Sequence, residues 1–442
     1  MNKLIIILFT LSIILINPWG LDKGSVWTQP KILVVELICI LNLFIISHYQ
    51  LHLSKVWKIV ALLWGLFLMI GAIATIISPE PVRSLLGQST AKDGLLYWGL
   101  ITCFTLSNSL VLKLKPEIAK YQLQGLVIGG VILGLSIFPQ MLDWHIDYTL
   151  TSGQLFKSHI LKSMIYREQQ PIGLYSHRGF ASFTLAAIAI IALVGWRWKW
   201  LNKKFVKITL IVIIPALLLT ETRAGLLALV VAASYLLGSR SVSERRKHYK
   251  LILTGAIASI LIITAFSQSR NVGDDSIISK FTSNRNYLWE ISITRIKMRP
   301  FGWGFDGFEI AYPHLPDGTS KTLPITATKA HNLFIESALS VGIIGLAVYL
   351  GLIGFCLWCM LQSPYRDVGA VAIAYLIFTF TWYESAQYTH IFWWSLSFFD
   401  YEKISRSNSV GNELSASSHS PGVATRIRSW VSGAKARIFK QV

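Results

Sequence analysis

Residues 57–77 read WKIVALLWGLFLMIGAIATII, an apolar run with a single charge at Lys58. A helix needs about 20 such residues to cross the hydrocarbon layer of a membrane. Runs of this kind recur from the first residues to about position 400. Only 14% of the 442 residues are charged and 53% are hydrophobic, whereas about 25% of an ordinary soluble domain is charged. The composition therefore excludes a soluble globular protein and predicts that nearly the whole chain is embedded in a membrane.

The apolar runs predict an all-α polytopic membrane protein with about twelve transmembrane helices. The run from Phe205 to Gly238 is too long for one straight helix, so we expect a break at the polar Glu221-Thr222-Arg223. We expect a transmembrane domain over residues 1–400, a long outer loop at 268–332 within it, and a basic tail at 401–442. The predicted spans lie near 4–19, 32–47, 57–77, 94–112, 122–142, 176–196, 205–221, 223–238, 250–267, 333–360, 368–383 and 388–400.

Positive charge alternates between the predicted loops and sets the expected orientation. The loops that contain Lys55, Lys113, Arg197 and Arg240 carry most of the short-loop Lys and Arg residues, and such loops stay in the cytoplasm. Both termini are therefore expected on the cytoplasmic side. The basic tail has the spacing of an amphipathic helix lying on the anionic leaflet, and a disordered tail is the alternative.

The chain carries 41 Lys+Arg against 22 Asp+Glu, a formal net charge of +19. In a soluble protein such an excess would indicate nucleic acid binding. In a membrane-embedded chain it fits the topology and an anionic substrate, so we expect membrane lipids but no nucleic acid among the partners. The segment 268–332 is unusually basic for an outer face, which predicts that an anion binds there. The alternative is that a long loop escapes the topology rule.

Arginines are concentrated on the predicted outer face. Arg285 and Arg299 lie in the long outer loop, and the break before Arg223 brings that residue to the same depth. Because a planar guanidinium binds phosphate oxygens in pairs, these arginines indicate a lipid-linked phosphate or diphosphate. The alternative for each of them is an anchor to lipid headgroups.

His331 precedes a helix predicted to run from about Leu333. The dipole of that helix disfavours the imidazolium form, and a neutral imidazole can act as a general base. The alternative is a histidine that caps the helix or faces the membrane interface. The outer-face histidines lack the spacing of metal ligands, and no serine-hydrolase elbow is found, so we expect no metal and no cofactor.

Several of these motifs resemble the O-antigen ligase family, whose core is similar to that of O-antigen polymerases and pilin-type oligosaccharyltransferases. The resemblance covers roughly Ile172 to Leu350, and an earlier stretch with Lys92 is also similar, although the family often has arginine there. Around His177-Arg178 the family more often has asparagines. The similar elements are Thr222-Arg223-Ala224-Gly225 at the start of a span, Arg285 followed by Trp289, Pro300-x-Gly302-x-Gly304, His331-Asn332 at a helix start, and Gly342-x-x-Gly345.

The resemblance implies a GT-C-like membrane glycosyltransferase of the bacterial inner membrane, active in lipopolysaccharide biosynthesis or a related pathway. It implies an inverting, metal-independent transfer of a glycan from an undecaprenyl-diphosphate-linked donor to a hydroxyl group on the periplasmic face. The acceptor would be the lipid A core, a growing polysaccharide or a protein. In this reading His331 takes the acceptor proton, Arg223, Arg285 and Arg299 bind the diphosphate, and Lys92, Arg178, Asn332 and Glu336 support the site.

Three questions stay open at this point. Ligase, polymerase and protein-glycosylating enzyme are not distinguished, because variable outer loops recognise the acceptor. A transporter of solutes or anions such as inorganic carbon is a second class of function, and a non-catalytic scaffold is a third. The sequence also leaves open whether Glu336, Glu384 or Tyr383 orients His331.

Overall fold

The computed structural model describes residues 1–141, 144–145, 162–163, 171–238, 285–315, 317 and 328–400, and most of these residues are helical. A π-helical turn, Gly24–Thr28, leads into the second helix. The strands β1 (Trp144–His145) and β2 (Lys162–Ser163) form a two-residue antiparallel pair. The helices are α1 Asn2–Ile14, α2 Gln29–Ser47, α3 Lys55–Ile76, α4 Pro81–Leu86, α5 Leu95–Leu114, α6 Ile118–Met141, α7 Arg178–Arg197, α8 Lys203–Leu219, α9 Arg223–Gly238, α10 Asn286–Met298, α11 Gly307–Ala311, α12 Leu333–Leu361, α13 Gly369–Thr379 and α14 Thr389–Leu396.

The predicted membrane character is confirmed in the described part of the chain. There, six helices are long and apolar enough to cross a membrane, namely α2 with its preceding turn, α3, α5, α6, α7 and α12. The predicted count of about twelve is not confirmed, and the predicted span 250–267 and tail 401–442 lie outside the described residues. The predicted outer loop is not loop throughout, because its described part contains α10 and α11.

The last two predicted spans are shorter than expected. The spans at 368–383 and 388–400 correspond to α13, with 11 residues, and α14, with 8 residues followed by a 3₁₀ turn. At about 1.5 Å per residue neither helix covers a hydrocarbon layer of about 30 Å. The chain between Phe380 and Tyr388 leaves the helical path, and this connecting segment contributes to the candidate site below.

The polar break in the run from Phe205 to Gly238 is confirmed. Helix α8 ends at Leu219 and α9 begins at Arg223. Between them, Glu221 has a φ of +47°, a conformation that continues no right-handed helix. The break places the first residue of α9 at the end of the bundle where α7 also begins.

Helix α7 lies at the centre of the bundle, between α6, α8, α9 and α13. Its residues from Gly179 to Ala192 are all buried, which fits a helix that is apolar on every side. A glycine permits its closest contact with α9, because a Cβ at Gly225 would lie 2.7 Å from the Ser182 Oγ. This central position fixes Arg178, the first residue of α7, at one end of the bundle.

The opposite end of the bundle collects the loops that were predicted to be cytoplasmic. Lys113 pairs with Asp400 at 3.4 Å, and Arg197 pairs with Asp367 at 3.1 Å. The loops predicted to lie outside are thus separated from those predicted to lie inside. Which end faces the periplasm stays a prediction.

A break in α12 explains the glycines after Pro300. Gly342 has a φ of +73° and interrupts the helix. Backbone groups left free by the break bond to the adjoining segment: the N–H of Ile343 donates to Pro300 O at 2.9 Å, and Leu339 O accepts from the N–H of Trp303 at 2.7 Å. The glycine-rich segment 300–304 therefore brings its backbone close to a broken helix.

Substitution of Gly342 by alanine is expected to destabilise the fold. A Cβ there would lie 2.4 Å from Pro300 O, and the φ of +73° with a ψ of 178° falls in a region that is nearly exclusive to glycine and costs other residues about 1–3 kcal/mol. Thermal unfolding of purified protein in detergent should show a clear loss of stability.

Gly351→Ala is the matched control in the same helix. No atom lies within 4 Å of a Cβ built at Gly351, and alanine favours a helix over glycine by about 0.5–1 kcal/mol. An equal loss of stability in both variants would contradict the role given to the break.

Candidate active site

Polar residues gather where α7, α9 and α12 begin. Arg178 and Arg223 are the first residues of α7 and α9, and His331 lies two residues before α12. His177 caps α7, because its Nδ1 accepts a hydrogen bond from the N–H of Gly179 at 3.0 Å. The three helix starts thus bring together residues that are far apart in sequence, as the predicted topology requires.

The ring of Trp382 lies at the centre of these residues. The Arg285 guanidinium lies 4.6 Å from its ring centroid. The imidazole of His177 lies at 5.2 Å and that of His331 at 5.3 Å, centroid to centroid. Tyr383 stacks beside it with nearly parallel rings. We call Trp382, Arg285, His177 and His331, together with Arg178, the cationic cluster.

Arg285 is half-buried, and its guanidinium donates a hydrogen bond to the carbonyl of Thr381. Burial and the positive charge of Arg178 lower the pKa of Arg285 to about 10, against the opposing effect of Tyr383. Arg178 in turn interacts electrostatically with Glu221 and Arg223. The positive charges at this end of the bundle therefore repel one another and favour an anion between them.

His331 is neutral in this setting. Burial, Arg285 and His177 lower the pKa of His331 to about 3. These effects favour the neutral imidazole, as does the helix dipole that the sequence indicated. Its Nδ1 is buried and has no hydrogen-bond partner among the described residues. The backbone has a φ of +52°, and the edge of Tyr383 packs at 4.9 Å between ring centroids. The side chain is held by packing and carries a free lone pair or proton.

His177 and Lys23 belong to this end of the bundle, although the sequence did not single out their roles. Burial, Arg178, Lys23 and Arg285 lower the pKa of His177 to about 4. Arg178 and His177 adjoin in sequence, so their common position could have been found from the motif. The proximity of Lys23 depends on tertiary packing and left no signal in the sequence.

Buried polar side chains hold the segment that precedes α7. The Lys31 ammonium is fully buried and donates to Leu174 O at 2.9 Å. Gln387 accepts from the N–H of Ser176 at 3.0 Å and donates to its Oγ at 2.6 Å. Gln140 bonds to both the N–H and the carbonyl of Gly173, each at 3.0 Å. These contacts fix the position of the α7 start.

A buried ion network holds the chain just before His331. The Lys329 ammonium lies 2.7 Å from Asp93 and 2.7 Å from Asp306, and Arg83 pairs with Asp306 at 2.6 Å. Burial alone would lower the pKa of Lys329, but Asp306, Asp93 and Glu336 raise it well above its ordinary value. Asp93, Asp306 and Glu336 also line a small cavity. The sequence indicated none of these pairs, since their members are up to 236 positions apart.

Several residues predicted to support the site have structural contacts instead. Asn332 caps α12, accepting from the N–H groups of Phe334 and Ile335 at 3.0 and 3.1 Å. Glu336 accepts from the N–H of Ala330 at 2.8 Å. Lys92, at a φ of +53°, interacts electrostatically with Asp22.

Arg299, predicted to bind the diphosphate, contacts residues outside the cationic cluster. Its guanidinium lies 4.7 Å from the ring of Trp303 and donates to Ile77 O at 3.3 Å. In the part of the chain that is described, these contacts include no member of the cationic cluster. Of the three arginines predicted to bind a diphosphate, Arg285 lies beside His331, and Arg223 interacts with Arg178 of the cationic cluster. The sequence left open whether Glu384 or Glu336 orients His331. The carboxylate of Glu384 accepts hydrogen bonds from Tyr349 and Tyr375, at 2.5 and 2.7 Å, and that of Glu336 accepts from Ala330. Neither carboxylate hydrogen-bonds to His331.

Lys329→Met is expected to destabilise the protein, because it leaves Asp93 and Asp306 buried without their shared cation. Breaking a buried pair by removing one partner typically costs about 3–5 kcal/mol. Thermal unfolding in detergent measures the loss. Lys297→Met, at an exposed lysine of α10, is the control and should change stability by no more than about 0.5 kcal/mol. Equal stability of the two variants would contradict a structural role for Lys329.

The family of proteins described as O-antigen ligase matches residues 208–350. The matched region begins in α8 and ends in α12, so it includes Arg223, Arg285 and His331, whereas His177 and Arg178 lie before it. No curated protein matches the chain. The match covers about a third of the chain, and it supports the similarity to the O-antigen ligase superfamily that the motifs had indicated.

Proposed function

We propose that this protein transfers a glycan from an undecaprenyl-diphosphate-linked donor to a hydroxyl acceptor at the periplasmic face of the bacterial inner membrane. The observation that carries the proposal is that Arg285 and a neutral His331 lie against the same Trp382 ring, with Arg178 acting on Arg285 and Arg223 acting on Arg178. The family match to residues 208–350 supports a glycosyltransferase of the O-antigen ligase type. The particular donor and acceptor are those that the family resemblance implies, and the chemistry of the cluster supports the proposed mechanism.

The diphosphate is the natural ligand of the arginines. Arg285 is half-buried, and among the described residues its partners are a carbonyl and an aromatic ring, not a carboxylate. A buried cation without an anionic partner is costly. A diphosphate supplies negative charge and several acceptor oxygens, which suit the paired N–H groups of a guanidinium.

Transfer is a single displacement at the anomeric carbon, so it inverts the configuration. The acceptor oxygen forms a bond to C1 of the sugar while the bond from C1 to the diphosphate oxygen breaks. The electron pair of that bond leaves with undecaprenyl diphosphate, where Arg223 and Arg285 stabilise the added charge. The acceptor proton passes to the neutral imidazole of His331, which acts as the general base.

The arginines provide the positive charge that a divalent cation provides in many transferases, so we propose that transfer is metal-independent. The activated donor supplies the free energy, so no nucleotide is consumed. The acceptor would be a lipid A core, a growing polysaccharide or a protein hydroxyl. The number of units added in one assay distinguishes a ligase from a polymerase.

The test is glycan transfer in membranes supplied with an undecaprenyl-diphosphate-linked oligosaccharide, in the presence of EDTA. Wild type should consume the donor, and His331→Ala should lower the rate by about 10²–10⁴-fold, because it removes the general base. Donor loss and product size are followed at matched expression. A single product indicates a ligase, and a ladder indicates a polymerase.

His52→Ala serves as the control, since His52 is an exposed histidine outside the cationic cluster. Its rate should equal that of wild type. If wild type gives no transfer with a range of donors and acceptors, a transporter or a scaffold explains the protein better. If His331→Ala transfers as fast as His52→Ala, His331 is not the base.

A further inference from the structure

We infer that the indole N–H of Trp382 binds an oxygen of the donor's diphosphate, which makes Trp382 a donor-binding residue. The inference rests on the proposed function, because it assigns part of the same site. Neither the sequence motifs nor the family match includes this residue, which lies at position 382, beyond the matched region 208–350.

The indole nitrogen is a buried donor that lacks an acceptor. Trp382 is 6% exposed, and its Nε1 has no hydrogen-bond partner among the described residues. An unsatisfied buried donor costs about 1–3 kcal/mol, so each case in a native protein calls for an explanation. A ligand that supplies the missing acceptor is one explanation.

The surroundings of this ring select an anionic ligand. Arg285 lies 4.6 Å from its centroid, and the His177 and His331 rings lie on the same indole at 5.2 and 5.3 Å. An acceptor oxygen that reaches this N–H therefore lies next to a guanidinium and beside the proposed base. A phosphate oxygen fits this position best, because it is both a strong acceptor and negatively charged.

The six-membered ring of the indole packs against the start of α7. A Cβ at Gly179 would lie 2.2 Å from Cζ2 and 2.5 Å from Cε2 of Trp382, and Cε2 is bonded to Nε1. Only glycine allows the ring to approach so closely. Gly179 follows Arg178 in the chain, so the indole ring lies at the N-terminal end of a helix whose positive dipole also favours an anion.

Two other tryptophans among the described residues have a buried indole N–H that lacks a partner but has no role in binding. Trp64 and Trp393 also have an indole N–H without a described partner. Their rings pack 4.5 Å apart, centroid to centroid, within the apolar core. An unpaired indole N–H alone is therefore not a binding site, and it is the charged surroundings that distinguish Trp382.

The test measures binding of undecaprenyl diphosphate, the leaving product, to the purified full-length protein in detergent. Trp382→Phe keeps an aromatic ring but removes the N–H, and it should weaken binding about tenfold, the effect of one hydrogen bond to a charged group. Trp393→Phe makes the same change in the core and should bind like wild type. Undecaprenol, which has the lipid but no phosphate, should bind all three proteins equally.

Gly179→Ala is a second variant that keeps Trp382 in the chain but displaces its ring, and it should weaken diphosphate binding as well. Equal binding of undecaprenyl diphosphate by wild type and both site variants would overturn the inference. A parallel loss of undecaprenol binding, or an equal effect of Trp393→Phe, would also overturn it, because either result indicates general loosening. If wild type does not bind undecaprenyl diphosphate, both the proposed function and the inference are wrong. If wild type binds it and transfers a glycan, the results of the variants test only the role of Trp382.

Discussion

Mutual repulsion between buried positive groups is the constraint on which the candidate site depends. Burial and Arg178 lower the pKa of Arg285, and burial, Arg285 and His177 lower the pKa of His331 to about 3. Such an arrangement is unfavourable without an anion, since desolvated like charges destabilise a folded protein. The same positive charges favour the neutral imidazole that the transfer needs as its base, and a bound diphosphate raises the affinity of that imidazole for the acceptor proton. The same positive charges therefore affect both the binding of the donor and the protonation state of His331.

The rest of the fold holds these groups together against that repulsion. Lys329 pairs with Asp93 and Asp306 at 2.7 Å each, directly before His331. The broken helix α12 is stabilised by the backbone of the segment 300–304 through Pro300 and Trp303. Buried side chains at Lys31, Gln140 and Gln387 fix the chain before α7. Ion pairs and hydrogen bonds outside the cationic cluster therefore stabilise the fold and offset the repulsion within the cluster.

Sequence patterns predicted the features that depend on local periodicity. The apolar runs gave α3 and α5 to within about three residues of their ends, and the polar Glu221 marked the break before α9. Alternating loop charge also placed Arg223, Arg285 and His331 on one face. Arg299 has the same residue type and the same predicted side, yet it contacts Trp303 and Ile77, because its exact position depends on how α10 packs.

Features that depend on contacts between distant segments could not be predicted. The Lys329 network joins residues up to 236 positions apart, and nothing in the pattern around Asp93 or Asp306 distinguishes these residues from surface acids. Trp382 lies in what looked like the end of an apolar span, where a tryptophan is ordinary. Its position in the site follows from the shortness of α13 and from the close approach at Gly179, and neither is encoded by periodicity.

The pH dependence of donor turnover tests the central claim, that buried cations keep His331 neutral in the free enzyme. The groups that face this imidazole are Arg285, His177 and Tyr383. Because kcat/KM reports the free enzyme, and the pKa of His331 is lowered to about 3, kcat/KM should change less than about twofold between pH 7 and pH 5. The acid limb of kcat should lie at higher pH, since the bound diphosphate offsets the charge of Arg285. A loss in kcat/KM of roughly 25-fold over the same range, expected for a base with an ordinary pKa of about 6.5, would contradict the account.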